Sequence, residues 1–432
     1  MFPPPMTSPG HILDELKWRG LVHQSTNPEG LYEHLRAPRK VYAGFDPTKD
    51  SLTIGNLVAI VLLRRFQLAG HRPVVLMGGG TGLIGDPSGK DSERQLLDDA
   101  QVEANVRGQR TIFERVIDFD GPNGAVLVNN GDWIRKLSYV DVLRDVGKHF
   151  SVNAMIQRDS VRTRLDNREQ GISYTEFSYM ILQAYDFRHL YREQGVTVQV
   201  GGSDQWGNIV AGVDLTRRTE RVEVYGLTAP LLTKADGGKF GKTESGAVWL
   251  TSKYTSPYAF YQFWINAADA DVERFLHVFS LRSREELTEI LTEHAREPAR
   301  RLGQKALAEE LTRLLHGDEG LREALAATEA LFSGDVSGLS LRAIEEAFGG
   351  APSSQHALAT LGDEGKDILE LLVESGVVKS KREAREHVGN GAVSVNGRRI
   401  DANYRLTKAD LLHGKIALIR RGKKTWHVSR WE

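Results

Sequence analysis

Val41-Tyr42-Ala43-Gly44-Phe45 is followed by the polar turn Asp46-Pro47-Thr48 and a helical pattern over Leu57 to Leu68. A second β-rich run, Pro73-Val74-Val75-Leu76-Met77, then ends in glycines, and this stretch decides the fold class. Strand, helix and strand in alternation predict a parallel α/β sheet. Val126-Leu127-Val128 and Val196-Thr197-Val198-Gln199-Val200 extend the alternation, the second entering Gly201-Gly202. Ligands of such sheets bind at the carboxyl ends of the strands. The polar motifs of this chain fall directly after the predicted strands.

Working outward, the alternation runs from Lys40 to about Gly226. From about Ser256 to Leu331 the pattern becomes helical, as in Arg300 to Leu315. Ser333 to Gly365 is richer in Gly, Ser and Pro and reads as a linker. From Lys366 to Glu432 there are 15 Lys and Arg against 8 Asp and Glu, a net of +7; the remainder has 41 against 49, a net of −8. The overall charge of −1 therefore hides a small basic domain on an acidic body. The expected divisions are 1–15 a disordered extension, 16–230 the α/β domain and 231–250 a lysine loop with its connection. They continue with 251–332 helical, 333–365 linker and 366–432 the basic domain.

The chain of 432 residues has no cysteine, which excludes disulfides, cysteine-ligated metals and thiol nucleophiles. Its longest uncharged apolar run, Leu57 to Leu63, is too short to span a bilayer. The start, Met1-Phe2-Pro3-Pro4-Pro5, has neither a basic nor an apolar signal region, so a soluble cytoplasmic protein is expected.

Several motifs carry possible chemistry. Gly78 to Lys90 is glycine-rich after a strand without being a Walker loop, and its glycines would admit a ligand close to the backbone. Thr53-Ile54-Gly55-Asn56 stands where a strand end feeds a helix N-terminus, which is an anion site by geometry. Gly201-Gly202-Ser203-Asp204-Gln205 offers a flat glycine surface with a carboxylate suited to ribose hydroxyls. Tyr179, Gln183 and Asp186 share one face of a helix. Lys239-Phe240-Gly241-Lys242-Thr243 puts two mobile cations on a glycine-hinged loop, suited to phosphates. A basic helix at Arg382 and Arg385 lies beside an Asn396-Gly397 hairpin signal, and Arg420, Lys423 and Lys424 form a further basic cluster. Each also has a plain reading as a polar turn, a solvated stripe or a solubilising surface.

Taken in order, these motifs closely resemble bacterial-type tyrosyl-tRNA synthetase, a class I aminoacyl-tRNA synthetase. The resemblance runs from about Leu16 to the end. Its carriers are Tyr-Ala-Gly-Phe-Asp-Pro-Thr from Tyr42, Gly-Asp-Pro-Ser-Gly-Lys to Lys90, Gln-Ala-Tyr-Asp to Asp186, Gly-Gly-Ser-Asp-Gln-Trp-Gly-Asn from Gly201, and the lysine loop. It implies a class I Rossmann-like parallel-sheet catalytic domain of the α/β class, then a helical anticodon-side domain and a small α+β RNA-binding domain. The implied substrates are L-tyrosine, ATP with magnesium carried by the nucleotide, and tRNA. A cytoplasmic homodimer is implied, with no membrane partner and no metal site of the protein's own.

Residue by residue, the resemblance implies that Tyr42 and Asp186 bind the phenolic hydroxyl. Asp86, Tyr179 and Gln183 hold the ammonium, and Gln205 sits near the carboxylate. Asp46, Thr48, Gly55, Gly202, Asp204 and Lys242 are implied at the nucleotide. Thr48, Thr53, Asn56, Lys90, Arg94, Lys239 and Lys242 are implied in activation. Arg158, Arg217 and Arg218 are implied for the acceptor side of the tRNA, and Arg382, Arg385, Arg420, Lys423 and Lys424 for the basic tail. Rejection of phenylalanine by this family is the standard example of a site whose buried polar groups are left unpaired by the wrong substrate.

One departure stands out. The class I His-Ile-Gly-His element is Thr53-Ile54-Gly55-Asn56 here. Threonine cannot become a cation, so activation is expected to lean on Thr48, Lys90 and the lysine loop. The change also leaves two other readings open: a non-catalytic RNA-binding paralogue, and an adenylating enzyme for another amino acid. Lys239, Lys242 and Asp186 argue against the first, and the Tyr42–Asp186 pair against the second.

Overall fold

The computed structural model describes residues 10–88, 96–166, 171–238, 240–243, 246–336, 338–362, 364–422 and 425–432. The β-rich runs become β1 (Gln24–Ser25), β2 (Lys40–Phe45), β3 (Arg72–Met77), β4 (Val126–Asn129), β5 (Val196–Gly202) and β6 (Tyr225–Ala229) of one sheet. Its order is β1–β6–β5–β2–β3–β4. Only β1 is antiparallel to its neighbour; the other pairs are parallel. β3 is buried at every position but its first, which is why it reads as a continuous apolar run rather than an alternating one.

Helix α1 (Ile54–Leu68) connects β2 to β3 and buries Leu57, Ile60, Val61 and Phe66. The chain builds β3 and β4 on one side of β2, then returns to place β5 and β6 on the other. That reversal opens a crevice at the carboxyl ends of β2 and β5. The register sets Tyr42 between Val74 on β3 and Gln199 on β5.

Helix α2 (Tyr174–Gln194) brings the Tyr179–Asp186 face to this crevice. Ser173 caps its start by accepting from the Glu176 amide. Gly195 ends it with φ 66°, a left-handed conformation that favours glycine, and β5 begins at the next residue. Near its start Arg164 and Glu176 form an ion pair at 2.8 Å between almost fully buried side chains. Helix α3 (Trp206–Glu220) follows β5.

Contacts divide the chain into two units. One holds the residues up to Tyr254 together with Trp264–Leu315, the other Thr255–Phe263 with His316–Glu432. The helical stretch expected over 251–332 is thus shared between them, and helix Leu302–Ser333 is interrupted at Gly317, φ 74°.

The second unit contains α4 (Leu341–Phe348), β7 (Ser353–His356), α5 (Ile368–Glu374), α6 (Lys381–Gly389), β8 (Val393–Val395), β9 (Arg398–Arg399), β10 (Ile416–Arg421) and β11 (Thr425–Trp431). Its sheet has the order β9–β8–β10–β11–β7. Ala417 and Ile419 on β10 pack with Ile368, Leu371, Leu372, Ala384 and Val388. Ile416 and Leu418, on the opposite face, pack with Ala327, Ala330, Ile344 and Phe348. The Asn396-Gly397 turn has φ 48° and 81°, as the hairpin signal requires.

The stretch 333–365 is therefore not a plain linker. It supplies buried Val336, Leu339, Ile344 and Phe348, and its strand β7 pairs in parallel with β11. Its composition misleads because β7 reads Ser-Ser-Gln-His, a polar edge strand, and α4 lies between glycines.

Candidate active site

The crevice is a cleft of about 460 Å³. At its closed end lies Tyr42, fully buried at 0% exposure, and among the described residues its hydroxyl has no hydrogen-bond partner. Asp186, 1% exposed, faces the same end from α2. Its two carboxylate oxygens accept from Asn130 Nδ2 at 2.9 Å and Trp133 Nε1 at 2.8 Å.

Burial pushes the Asp186 carboxyl up to about 7, against the pull of those two donors. Burial, helped by the Asp186 charge, also holds the Tyr42 phenol well above its usual range, so it stays protonated. A buried hydroxyl without a partner costs about 1–3 kcal/mol. A ligand hydroxyl that accepts from Tyr42 and donates to Asp186 removes that penalty.

The loop after β3 is tied into this wall. Asn130 Oδ1 accepts from the Gly80 amide at 2.7 Å, and Asn130 Nδ2 also donates to Thr81 Oγ1 at 3.0 Å. Thr81 donates in turn to Asp46 Oδ1 at 2.8 Å. A Cβ at Gly78 would stand 2.2 Å from Asp46 Oδ1, so only glycine lets this loop lie against Asp46.

Above the phenolic end the cleft is acidic. Tyr179 donates to Asp46 Oδ2 at 2.8 Å. Asp86 accepts from Gln205 Nε2 at 2.7 Å and from the Ser88 amide at 2.9 Å. After burial, the charges of Asp46 and Asp86 push the Tyr179 hydroxyl further above its usual range, with Asp186 adding to them. Gln183 lines the same region. Three carboxylates around one neutral phenol make a seat for a cation such as an ammonium.

The outer part of the cleft is built from Thr48, Thr53, Gly55, Asn56, Gly202 and Asp204. Thr53 is the N-cap of α1. Its backbone N–H and its Oγ1 both donate to Asn56 Oδ1, at 3.0 and 2.9 Å. The unusual motif pair is thus locked in a capping interaction. The Asn56 amide donates to Thr53 O at 2.9 Å, and Gly55 between them lines the cleft.

The lysine loop stands beside this helix start. Lys242–Thr243 pairs with Gly246–Ala247 as a two-residue hairpin, and Trp249 bridges to Thr53. The Ile54 amide donates to Val248 O at 2.9 Å. At Gly241, φ 78°, a Cβ would come within 2.5 Å of Ile54 Cγ2. The Phe240 ring lies 5.0 Å from Phe275 and 5.5 Å from Phe279. Lys242 is exposed and is not part of the cleft wall. Lys90, Arg94 and Lys239 fall outside the described residues.

The tyrosine-side residues expected from the sequence therefore meet in one cleft, together with Asp46, Thr48, Thr53, Gly55, Asn56, Gly202 and Asp204. Sequence reasoning missed Asn130 and Trp133, although Asn129-Asn130-Gly131-Asp132-Trp133 directly follows a strand, as the other motifs do. It also missed Gln199, whose buried Oε1 has no partner among the described residues, and Phe240 as an anchor. Among the described residues no three His, Asp or Glu side chains come together as metal ligands.

The cations expected to meet nucleic acid lie elsewhere. Arg217 pairs with Asp214 at 3.2 Å, Arg218 donates to His149 O at 3.0 Å, and half-buried Arg158 lies against Gly207. In the second unit Arg382 and Arg385 are exposed on α6. Arg420 is half-buried, donates to Phe332 O at 3.0 Å and stands 5.0 Å over the Trp426 ring. Lys423 and Lys424 are outside the described residues.

Comparison with known proteins gives a consistent set of relatives. The family described as tRNA synthetases class I (W and Y) matches residues 34–333, and the tyrosine–tRNA ligase SYY-like C-terminal domain matches 343–429. The tyrosine–tRNA ligase of Bacillus caldotenax is 53% identical over 426 residues, covering 97% of this chain and 99% of that protein. The tyrosine–tRNA ligase of Staphylococcus epidermidis is 50% identical over 424 residues, covering 98% and 99%. Among solved structures, a C-terminally truncated mitochondrial tyrosyl-tRNA synthetase of Aspergillus nidulans superposes with a TM-score of 0.68 at 29% identity, covering 74% of this chain and 94% of that one.

Proposed function

Because the chain belongs to the class I tRNA synthetases of the tryptophan and tyrosine group, we infer that it is an ATP-dependent tyrosine–tRNA ligase. It activates L-tyrosine with ATP to tyrosyl-adenylate and passes the tyrosyl group to the 3′-terminal adenosine of its tRNA. The observation that carries the tyrosine specificity is the unpartnered Tyr42 hydroxyl beside the Asp186 carboxylate.

In this reading the substrate phenol accepts from Tyr42 and donates to Asp186, which Asn130 and Trp133 hold in place. Phenylalanine would leave Tyr42 without a partner and Asp186 without its third donor. The substrate ammonium sits over the acidic floor of Asp46 and Asp86, with Tyr179 and Gln183 alongside, and Gln205 orients the carboxylate. Gly202 and Asp204 take the ribose. The tyrosine carboxylate oxygen attacks the α-phosphorus while the bond to the β-phosphate bridging oxygen breaks, and pyrophosphate leaves with that electron pair. The helix start at Thr53 to Asn56, Thr48, and the cations Lys90, Arg94, Lys239 and Lys242 stabilise the departing charge. Magnesium comes on the phosphates of the nucleotide.

The net of +7 over the last 67 residues, with Arg382 and Arg385 exposed on α6, supports tRNA backbone binding by the second unit, to which Arg420, Lys423 and Lys424 add charge. Arg158, Arg217 and Arg218 serve the acceptor side. Tyr139, Val140, Val152 and Tyr174 are each more than half exposed, which supports a second copy of the chain covering this region as a homodimer. No described helix is long and apolar enough to cross a membrane, in keeping with work in the cytoplasm.

The test is tyrosine-dependent exchange of pyrophosphate into ATP without tRNA, followed by charging of tRNA. Exchange with tyrosine and not with phenylalanine is expected. Folded protein that binds tRNA and exchanges with neither amino acid would replace this reading with an RNA-binding paralogue.

A further inference from the structure

Thr53 cannot supply the positive charge that the class I motif places at the start of α1. Its hydroxyl proton is moreover engaged with Asn56 Oδ1 at 2.9 Å. A cation does stand near this point, at the fourth residue after β2. The Lys49 ammonium lies 4.0 Å from the ring centroid of Tyr254 and 4.4 Å from that of Trp249. The two rings are 5.3 Å apart and tilted by 45°, so they form an open aromatic corner around the charge.

One ring of this corner belongs to the cleft, whose lining includes neither Lys49 nor Tyr254. Trp249 and Thr48, the residue before Lys49, line its wall, and Trp249 is the β-bridge partner of Thr53. The carboxylate next in sequence does not neutralise the charge. Asp50 accepts from the Tyr254 hydroxyl on one oxygen, and on the other it pairs with Lys253 Nζ at 2.6 Å. Lys49 itself is half-buried, which fits an apolar stem packed on rings with its head at the rim.

We propose that Lys49 is a catalytic cation for adenylate formation, contacting the β- and γ-phosphates of ATP at the rim of the cleft in place of the charge that Thr53 lacks. The proposal rests on the ligase reading above. As the α-phosphorus bond to the β-phosphate breaks, the leaving pyrophosphate gains charge, and an ammonium held in the aromatic corner stabilises it. The same contact acts in reverse when pyrophosphate attacks tyrosyl-adenylate. A lysine serves because its compact charge on a four-carbon stem can lean from the rings to the phosphates.

The test uses the full chain and Lys49→Met, which keeps the apolar stem and removes the charge. Expected is a fall of roughly 10- to 100-fold in kcat/KM for ATP and for pyrophosphate, the worth of one charge-assisted contact, with KM for tyrosine changed less than about 3-fold. Adding Thr53→His to Lys49→Met is expected to recover part of the loss, and Lys49→Arg to stay within about 5-fold of wild type. Wild-type values for ATP and pyrophosphate in Lys49→Met would overturn the proposal. So would a rise in KM for tyrosine as large as the loss for ATP, which is the mark of a structural role. Should Lys49→Met fail to fold, acetylation of Lys49 in the wild-type protein, mapped by mass spectrometry, decides. Protection by pyrophosphate is expected, and unchanged labelling overturns the proposal. Failure of the ligase reading looks different, since the wild type itself would then show no tyrosine-dependent exchange.

Discussion

The two ends of the cleft are built in opposite ways. The phenolic end is buried, closed and hydrogen-bonded from strand ends and α2, with Tyr42 and Asp186 at 0% and 1% exposure. The phosphate end is open, with exposed Thr48, exposed Lys242 and a two-residue hairpin. On the proposed function, the contrast follows from what each end recognises. A hydroxyl is told from a hydrogen atom only where unpaired polar groups are costly, which demands burial. A triphosphate is bound and released by charge, which acts from a distance and tolerates motion.

The largest expected effect tests the rigidity of the closed end. Glu176→Ala strips the partner from buried Arg164 next to the start of α2. Denaturant unfolding should show a loss of about 3–5 kcal/mol, the penalty of an uncompensated buried charge. A loss below about 1 kcal/mol would mean that α2 is not held by this pair.

Next comes Asp186→Asn. It replaces a charged acceptor by a neutral one, and kcat/KM for tyrosine should fall roughly 10- to 100-fold in pyrophosphate exchange. The wild-type pH profile sharpens the same point. The folded pKa of Asp186 is raised to about 7, so the group is protonated below that pH and an acceptor above it. kcat/KM for tyrosine should therefore rise with pH through about 7, and this limb should be missing from Asp186→Asn. The sign is reversed for stability. A carboxyl whose folded pKa is raised favours the fold at low pH, and that contribution is lost as pH rises through about 7.

A smaller effect concerns the open end. Phe240→Ala frees the lysine loop from Phe275 and Phe279. Stopped-flow measurement of adenylate formation should show a rate lower by about 5- to 20-fold, with tyrosine affinity unchanged. An equal loss of tyrosine affinity would tie the loop to the closed end and dissolve the contrast.

What the sequence shows follows the same division. Strands β2, β3 and β5 were legible because buried parallel strands are continuous apolar runs bounded by glycines. Tyr42, Asp86, Tyr179 and Asp186 were legible as polar positions after strands or on one helix face, once the order of the motifs pointed to a family. Asn130 and Trp133 were not, since nothing local says that an Asn and a Trp after β4 will reach Asp186 on α2, 53 and more residues away. The folded stretch 333–365 was hidden by a polar edge strand. The Thr53–Asn56 cap was readable as a helix start, but its use of the hydroxyl proton required coordinates.

The central claim is that Tyr42 remains unpartnered to read one hydroxyl. Tyr42→Phe tests it by pairing two readings, stability without ligand and selectivity with it. The account predicts no loss of stability in denaturant unfolding, because no protein contact is removed. It also predicts a fall of about 10-fold in the tyrosine-to-phenylalanine ratio of kcat/KM for exchange. A variant that loses stability while keeping its selectivity would contradict it.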